Sequence, residues 1–107
     1  MKDKEYKLLI IPIEMDEIEV KTFDHEPTLE EMQKLVGGLI EVVRIHFGGF
    51  HEGIINEEGK YDSAINHVAT QAYNAFKHDQ GYELDGDYIA GTMIVPLNYI
   101  MGESDNE

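Results

Sequence analysis

The chain has 107 residues, with 22 Asp or Glu against 8 Lys or Arg, a formal charge of −14 and 42% hydrophobic residues. This much apolar content in about one domain's length fits a single globular unit over residues 1–107, and excludes a disordered acidic tail or a multidomain enzyme. With no cysteine there are no disulfides, thiolate nucleophiles or Cys-based zinc sites. The longest apolar run, Leu8 to Ile11, is far short of the roughly 20 residues of a membrane span, and no signal-peptide pattern opens the chain. The expectation is a soluble, cytoplasmic protein with an ordered core at 5–96 and an acidic tail at 97–107.

In chain order, Glu5 to Ile13 is apolar and β-prone with Pro12 near its end, which predicts an opening strand. Ile18, Val20 and Thr22 alternate with Glu19 and Lys21, the period of a half-buried strand, so a first hairpin is expected. Thr28 followed three residues later by Glu31 forms a capping-box pattern. A helix follows with Leu29, Met32, Leu35 and Val36 on one face, and Gly37 and Gly38 end it. Leu39 to Phe47 returns to strand chemistry, and Gly48 and Gly49 reverse the chain into Phe50 to Asn56.

Asn56 to Lys60 reads as a polar turn, with a second helix starting at Asp62 or Ser63 and running to His78. Ile65, Val68, Ala69, Ala72, Tyr73 and Phe76 supply its apolar stripe, the strongest periodicity in the chain, with His67 on the solvated side. After a Gly- and acid-rich connection from His78 to Asp87, Tyr88 to Val95 forms an interior strand closed by Pro96, with Gly91 marking a bulge or close approach. The polar residues Gly102 to Glu107 are expected to fray. The order is β-β-α-β-β-α-β: an α+β fold with two helices on one face of a mostly antiparallel sheet.

No motif names a reaction, so no enzyme, cofactor or metal is assigned. Five histidines occur without an HExxH frame, and a zinc site draws on three or four converging ligands. His46 and His51, flanking the Gly48–Gly49 turn and followed by Glu52, form the one cluster among them. Asp79, Glu83, Asp85 and Asp87 lack the regular spacing of a calcium loop and read as a solvated acidic connection. The glycines match neither a P-loop nor a dinucleotide fingerprint, and Ser63 has no GxSxG around it.

What remains is the acid. Nine acids face four bases in the first thirty residues, five face three in the next thirty, and eight face Lys77 alone in the remainder. Direct nucleic-acid binding is disfavoured, because phosphate contacts are made by Lys and Arg; a basic partner is favoured, beside the plain alternative that acidity only keeps the protein soluble.

The stretch Leu29 to Val43, containing Val36, Gly37, Gly38, Leu39, Ile40 and Glu41, together with Asn56, Glu57, Glu58, Gly59 and Lys60, resembles a small domain-of-unknown-function family from phages and bacterial mobile elements. The likeness runs from roughly Leu8 to Val95, with His46 to Glu52 and the acidic connection as departures from the family's shorter form. The resemblance supplies no catalytic residues. It implies a genomic setting in which small acidic proteins occupy host nucleic-acid-binding defence proteins, as anti-CRISPR or anti-restriction factors do, with carboxylates standing in for phosphates. On that reading Glu83, Asp85 and Asp87, with Glu57 and Glu58, contact a basic partner. The alternative is a binder that sequesters a nucleotide signal, using Lys34, Arg44 and Lys60 with the backbone of Gly48 and Gly49, provided the three bases converge on one cleft. The oligomeric state stays open, a homodimer included.

Overall fold

A computed structural model describes residues 4–101. Five strands form one antiparallel sheet: β1 (Tyr6–Ile11), β2 (Glu19–Phe23), β3 (Ile40–Phe47), β4 (Phe50–Asn56) and β5 (Met93–Pro96), in the spatial order β2-β1-β5-β4-β3. Three helices accompany it: α1 (Leu29–Val36), the single turn α2 (Gly59–Asp62) and α3 (His67–Asp79). The α+β class, the ββαββαβ order of the main elements, both hairpins and the interior place of the last strand are as the sequence predicts.

The helices lie on opposite faces of the sheet, where the sequence reading placed them on one. Successive strand residues point to opposite sides, and both sides are covered. Leu8, Ile10, Ile54 and Ile94 pack with Met32 and Val36 of α1. Ile11, Ile45, Met93 and Val95 pack with Ala69 and Ala72 of α3. The unbroken apolar runs Leu8 to Ile11 and Met93 to Val95 follow from this, since a strand covered on both faces has no solvated side to alternate with.

Helix α1 begins and ends as its sequence dictates. Glu31 N–H donates to Thr28 Oγ1 at 3.1 Å while Thr28 N–H donates to Glu31 Oε1 at 2.9 Å, and Gly37 closes the helix with its N–H on Gln33 O at 2.8 Å. Leu29, expected on the buried face, is 56% exposed, because the first turn overhangs the packed stripe of Met32 and Val36. Strand β2 is not half-buried either: it is an edge of the sheet, Glu19 to Thr22 are exposed with Val20 at 51%, and Phe23 alone in it packs toward the α1 cluster.

The second helix starts later than its periodicity suggests. The turn expected at Asn56 to Lys60 winds into α2, Ser63 follows as its C-cap, and Ile65 pairs with Ala90 in an isolated β-bridge. Asn66 caps α3 by accepting Ala69 N–H at 3.0 Å, while Val68, Tyr73 and Phe76 are only partly buried. The last strand is also shorter than Tyr88 to Val95. Gly91 sits at φ +82°, a left-handed turn that breaks the extended chain, and a Cβ there would stand 3.3 Å from Ser63 Oγ.

Residues 97–101 of the expected tail are fastened to β1. Leu97 N–H donates to Lys7 O at 2.9 Å, Lys7 N–H to Asn98 Oδ1 at 3.0 Å, and Asn98 Nδ2 to Glu5 O at 2.8 Å. Gly102 to Glu107, expected to fray, lie outside the described residues. Among the described residues no helix is long and apolar enough to cross a membrane.

Candidate functional site

The acidic connection between α3 and β5 is held against the helix by a run of polar contacts. The anchor is Asn66, a fully buried side chain whose Nδ2 donates to Ile11 O at 2.9 Å and to Gly91 O at 2.8 Å while its Oδ1 caps α3. One amide thus ties the end of β1, the turn before β5 and the start of α3. Asn66 N–H donates to Ile89 O at 2.8 Å, and Thr70 Oγ1 accepts Ile89 N–H at 2.9 Å. The end of this segment, at Ile89 and Gly91, is thus pinned before any acidic side chain is counted, and the acids then supply partners for the N–H groups of Asp87 and Tyr88.

Two of the predicted acids then act as clasps. Asp85 pairs with Lys77 of α3 at 2.8 Å, and its Oδ1 also accepts Asp87 N–H at 3.1 Å. Asp87 pairs with Lys60 of α2, and its other oxygen accepts the Tyr73 hydroxyl at 3.3 Å. Lys77 holds the Asp85 carboxyl below its ordinary value, and Lys60 does the same for Asp87. Each partner lysine is raised in return by its carboxylate, while burial, with Asp87 beside it, pushes the Tyr73 hydroxyl up. Glu83 is exposed at the outer part of the connection, outside any ion pair among the described residues.

Glu57 and Glu58 occupy the turn after β4, both side chains exposed. Glu57 N–H donates to Leu39 O at 2.7 Å and Glu58 N–H to Asn56 Oδ1 at 2.8 Å, which fixes the turn. Gly59 lets α2 approach the acidic connection: a Cβ there would lie 2.6 Å from Ala90 O. Between them is a cavity of about 140 Å³ lined by Glu41, Glu57, Lys60, Tyr73, Asp87 and Tyr88. The structure therefore brings Glu57 together with Asp87 and leaves Glu83 outside.

The three bases of the nucleotide reading do not converge. Lys34 is exposed on α1, on the other side of the sheet. Lys60 lines the small cavity, whereas Arg44 and Gly49 line a separate open groove of about 610 Å³ with Phe50, Leu97 and Tyr99. The Tyr99 hydroxyl beside that groove is buried without a hydrogen-bond partner, and burial, with Glu26 adding to it, pushes it up to about 12. Gly48 and Gly49 stand at a hairpin tip with open space around them.

The sequence reading missed how the cations are used. Of the seven lysines and arginines in the described residues, five sit over aromatic rings: Lys4 over Tyr6, Lys21 over Phe23, Arg44 over Phe76, Lys60 over Tyr88 and Lys77 over Tyr73, at 4.9–5.8 Å from the ring centres. Exposed acids, by contrast, recur without an ion pair among the described residues at Glu14, Asp16, Glu17 and Glu19 on one stretch, and at Glu57, Glu58 and Asp62 on another. Part of the signal for this was in the sequence, since Lys4, Lys21 and Lys77 stand within two residues or one helical turn of their aromatic partners, whereas Arg44 and Lys60 reach rings far along the chain.

The fold and site define a small antiparallel-sheet α+β domain with an acidic surface. A family model, domain of unknown function DUF3846, matches residues 6–98, and the chain belongs to that family. No curated protein and no solved structure matches it.

Proposed function

We propose that this chain is a non-enzymatic accessory protein of a phage or mobile element that binds a basic, nucleic-acid-handling defence protein in the host cytoplasm and occupies its nucleic-acid channel. The observation that carries this reading is the asymmetry between the charges: the cations are largely stacked on rings or clasped to carboxylates, while exposed acids on a hydrogen-bonded framework have no internal cation. Carboxylates fixed in this way attract a Lys- and Arg-lined channel and compete with phosphate for it. Glu57, Glu58 and Glu83 are the contacts of choice, because each is exposed and outside the clasps. The nucleotide-sequestering alternative loses its support with the dispersal of Lys34, Arg44 and Lys60.

The test is capture of the tagged protein from host cells, mass spectrometry of what co-purifies, and a competition assay on the purified partner. The expected outcome is a basic nucleic-acid-binding protein released from this chain by DNA or RNA of its own substrate type. A captured partner that binds this chain and its nucleic acid simultaneously, without competition, overturns the mimicry.

A further inference from the structure

The connection between β2 and α1 carries a histidine engaged at both of its ring nitrogens. His25 Nδ1 is 2.7 Å from Asp24 Oδ1, and its Nε2 is 2.9 Å and 3.0 Å from the two carboxylate oxygens of Glu31. Glu31 is itself fixed, since its Oε1 accepts Thr28 N–H at 2.9 Å and the Thr28 hydroxyl at 3.2 Å in the capping box of α1. The His25 ring lies edge-on to Phe23, the last residue of β2, with ring centres 5.8 Å apart. One imidazole thus joins the end of an edge strand to the first turn of a helix.

A neutral imidazole has one N–H and one lone pair, whereas an ionised carboxylate only accepts. Carboxylates at both nitrogens are satisfied together only by the imidazolium, which donates from both. We infer that His25 is a proton-dependent latch: as the imidazolium it bridges Asp24 and Glu31 and fastens the end of β2 to the start of α1, and on losing the Nδ1 proton to solvent it releases Asp24 while its Nε2–H stays on Glu31. The order of release follows from how the two carboxylates are held. The Asp24 side chain is 92% exposed and turns freely into water, whereas Glu31 is 35% exposed and kept in place by Thr28. The other charges around the joint are Lys21, 5.8 Å from the centre of the Phe23 ring, Glu26 in the connection and Glu30 in the first turn of α1. A lone cation beside a helix N-terminus is opposed by the helix dipole, and here Asp24, Glu30 and Glu31 outweigh it.

The bonds to Asp24, then those to Glu31, raise the His25 imidazole above its ordinary value, while Thr28 N–H and His25 hold the Glu31 carboxyl below its own. With the folded value raised, the contribution of the latch is fully present below the unfolded imidazole value of about 6.5 and is lost as pH rises through the folded one.

The experiment is a nitrogen-15 and proton NMR titration of the His25 ring in the full chain, from about pH 5 to about pH 9, a range that brackets the ordinary imidazole value. The expected result is a midpoint above about 6.5 and a neutral form that carries its hydrogen on Nε2. Asp24→Asn and Glu31→Gln should each lower the midpoint, and so should added salt, because the pairs are exposed. A Gln at position 31 still completes the capping box, so a shift in that variant is not a loss of the helix. In thermal melts the advantage of the parent over Asp24→Asn should narrow as pH rises through the midpoint. A midpoint at or below the ordinary value, or one that neither substitution moves, overturns the latch; a neutral form with its hydrogen on Nδ1 overturns the release of Asp24.

Discussion

The two faces of the sheet are built by different means. On the α1 side Met32 and Val36 meet Leu8, Ile10, Ile54 and Ile94, and the helix is started and stopped by its own neighbours through the Thr28–Glu31 box and Gly37. On the α3 side an apolar layer is joined to a polar seam: Asn66 at the helix start, Thr70 on Ile89, and the lysine clasps on Asp85 and Asp87. Hydrophobic burial and local capping suffice where a helix is short and self-terminated. Where a long connection must return to the central strand, side chains far apart in sequence fix its path.

The largest expected effect that separates the faces comes from Asn66. Asn66→Ala leaves Ile11 O, Gly91 O and Ala69 N–H without their partners in the interior. At about 1–3 kcal/mol for each buried unsatisfied group, with partial relaxation, a loss of about 3–5 kcal/mol is expected. Urea denaturation checks this, and a loss below about 1 kcal/mol would show that the seam is decoration on the apolar layer. Phe76→Ala comes next. A fully buried Phe costs about 3–5 kcal/mol to truncate; Phe76 is only partly buried, beneath Arg44 and His46, and about 1–3 kcal/mol is expected by the same measurement.

The Asp87 clasp is a smaller matter because both partners are substantially exposed. Asp87→Asn should cost about 0.2–1 kcal/mol at low salt and less as salt is added. Its pH dependence has a defined sign. Lys60 and Lys77 depress the folded-state values of Asp87 and Asp85, so their contribution is present above the unfolded carboxylate value of about 4 and is lost as pH falls through the lower folded values. Thermal melts between pH 6 and pH 2.5 should show Asp87→Asn and the parent converging at the acid end; a constant gap would place the effect elsewhere than in the clasp. Smallest of all, Leu29→Ala on the α1 side should change stability by less than about 0.5 kcal/mol, since its side chain overhangs the packed stripe.

The same contrast explains what was legible in the sequence. Helix α1 could be read nearly to the residue because Thr28, Glu31 and Gly37 act over three or four positions. The hairpins were legible from the Gly48–Gly49 turn and the alternating β2. The start of α3 was not, because Ile65 continues the helical apolar period by coincidence while its backbone pairs with Ala90, and Asn66, which caps the helix on Ala69, is held in place by bonds to residues 25 and 55 positions away. The one-face arrangement failed where the unbroken runs at Leu8 and Met93 already pointed to cover on both sides. For the candidate site, the acidic connection was visible as composition, but its division into clasped Asp85 and Asp87 and free-standing Glu83 depends on where α2 and α3 deliver Lys60 and Lys77.

That division sets the decisive test of the acidic surface. Reversing Asp85 or Asp87 would break the α3 seam together with any contact to a partner, so the informative variant is Glu57→Lys, Glu58→Lys and Glu83→Lys combined, at three exposed positions outside the clasps. Its association rate with the captured partner is measured by surface-immobilised binding across a salt series, with circular dichroism to verify the fold. The expected result is a native spectrum, an association rate at least tenfold slower at low salt, and a flatter dependence on salt, as follows when steering between opposite charges is removed. A folded variant that binds at the parental rate with the parental salt slope would contradict a role for these carboxylates in holding a basic partner.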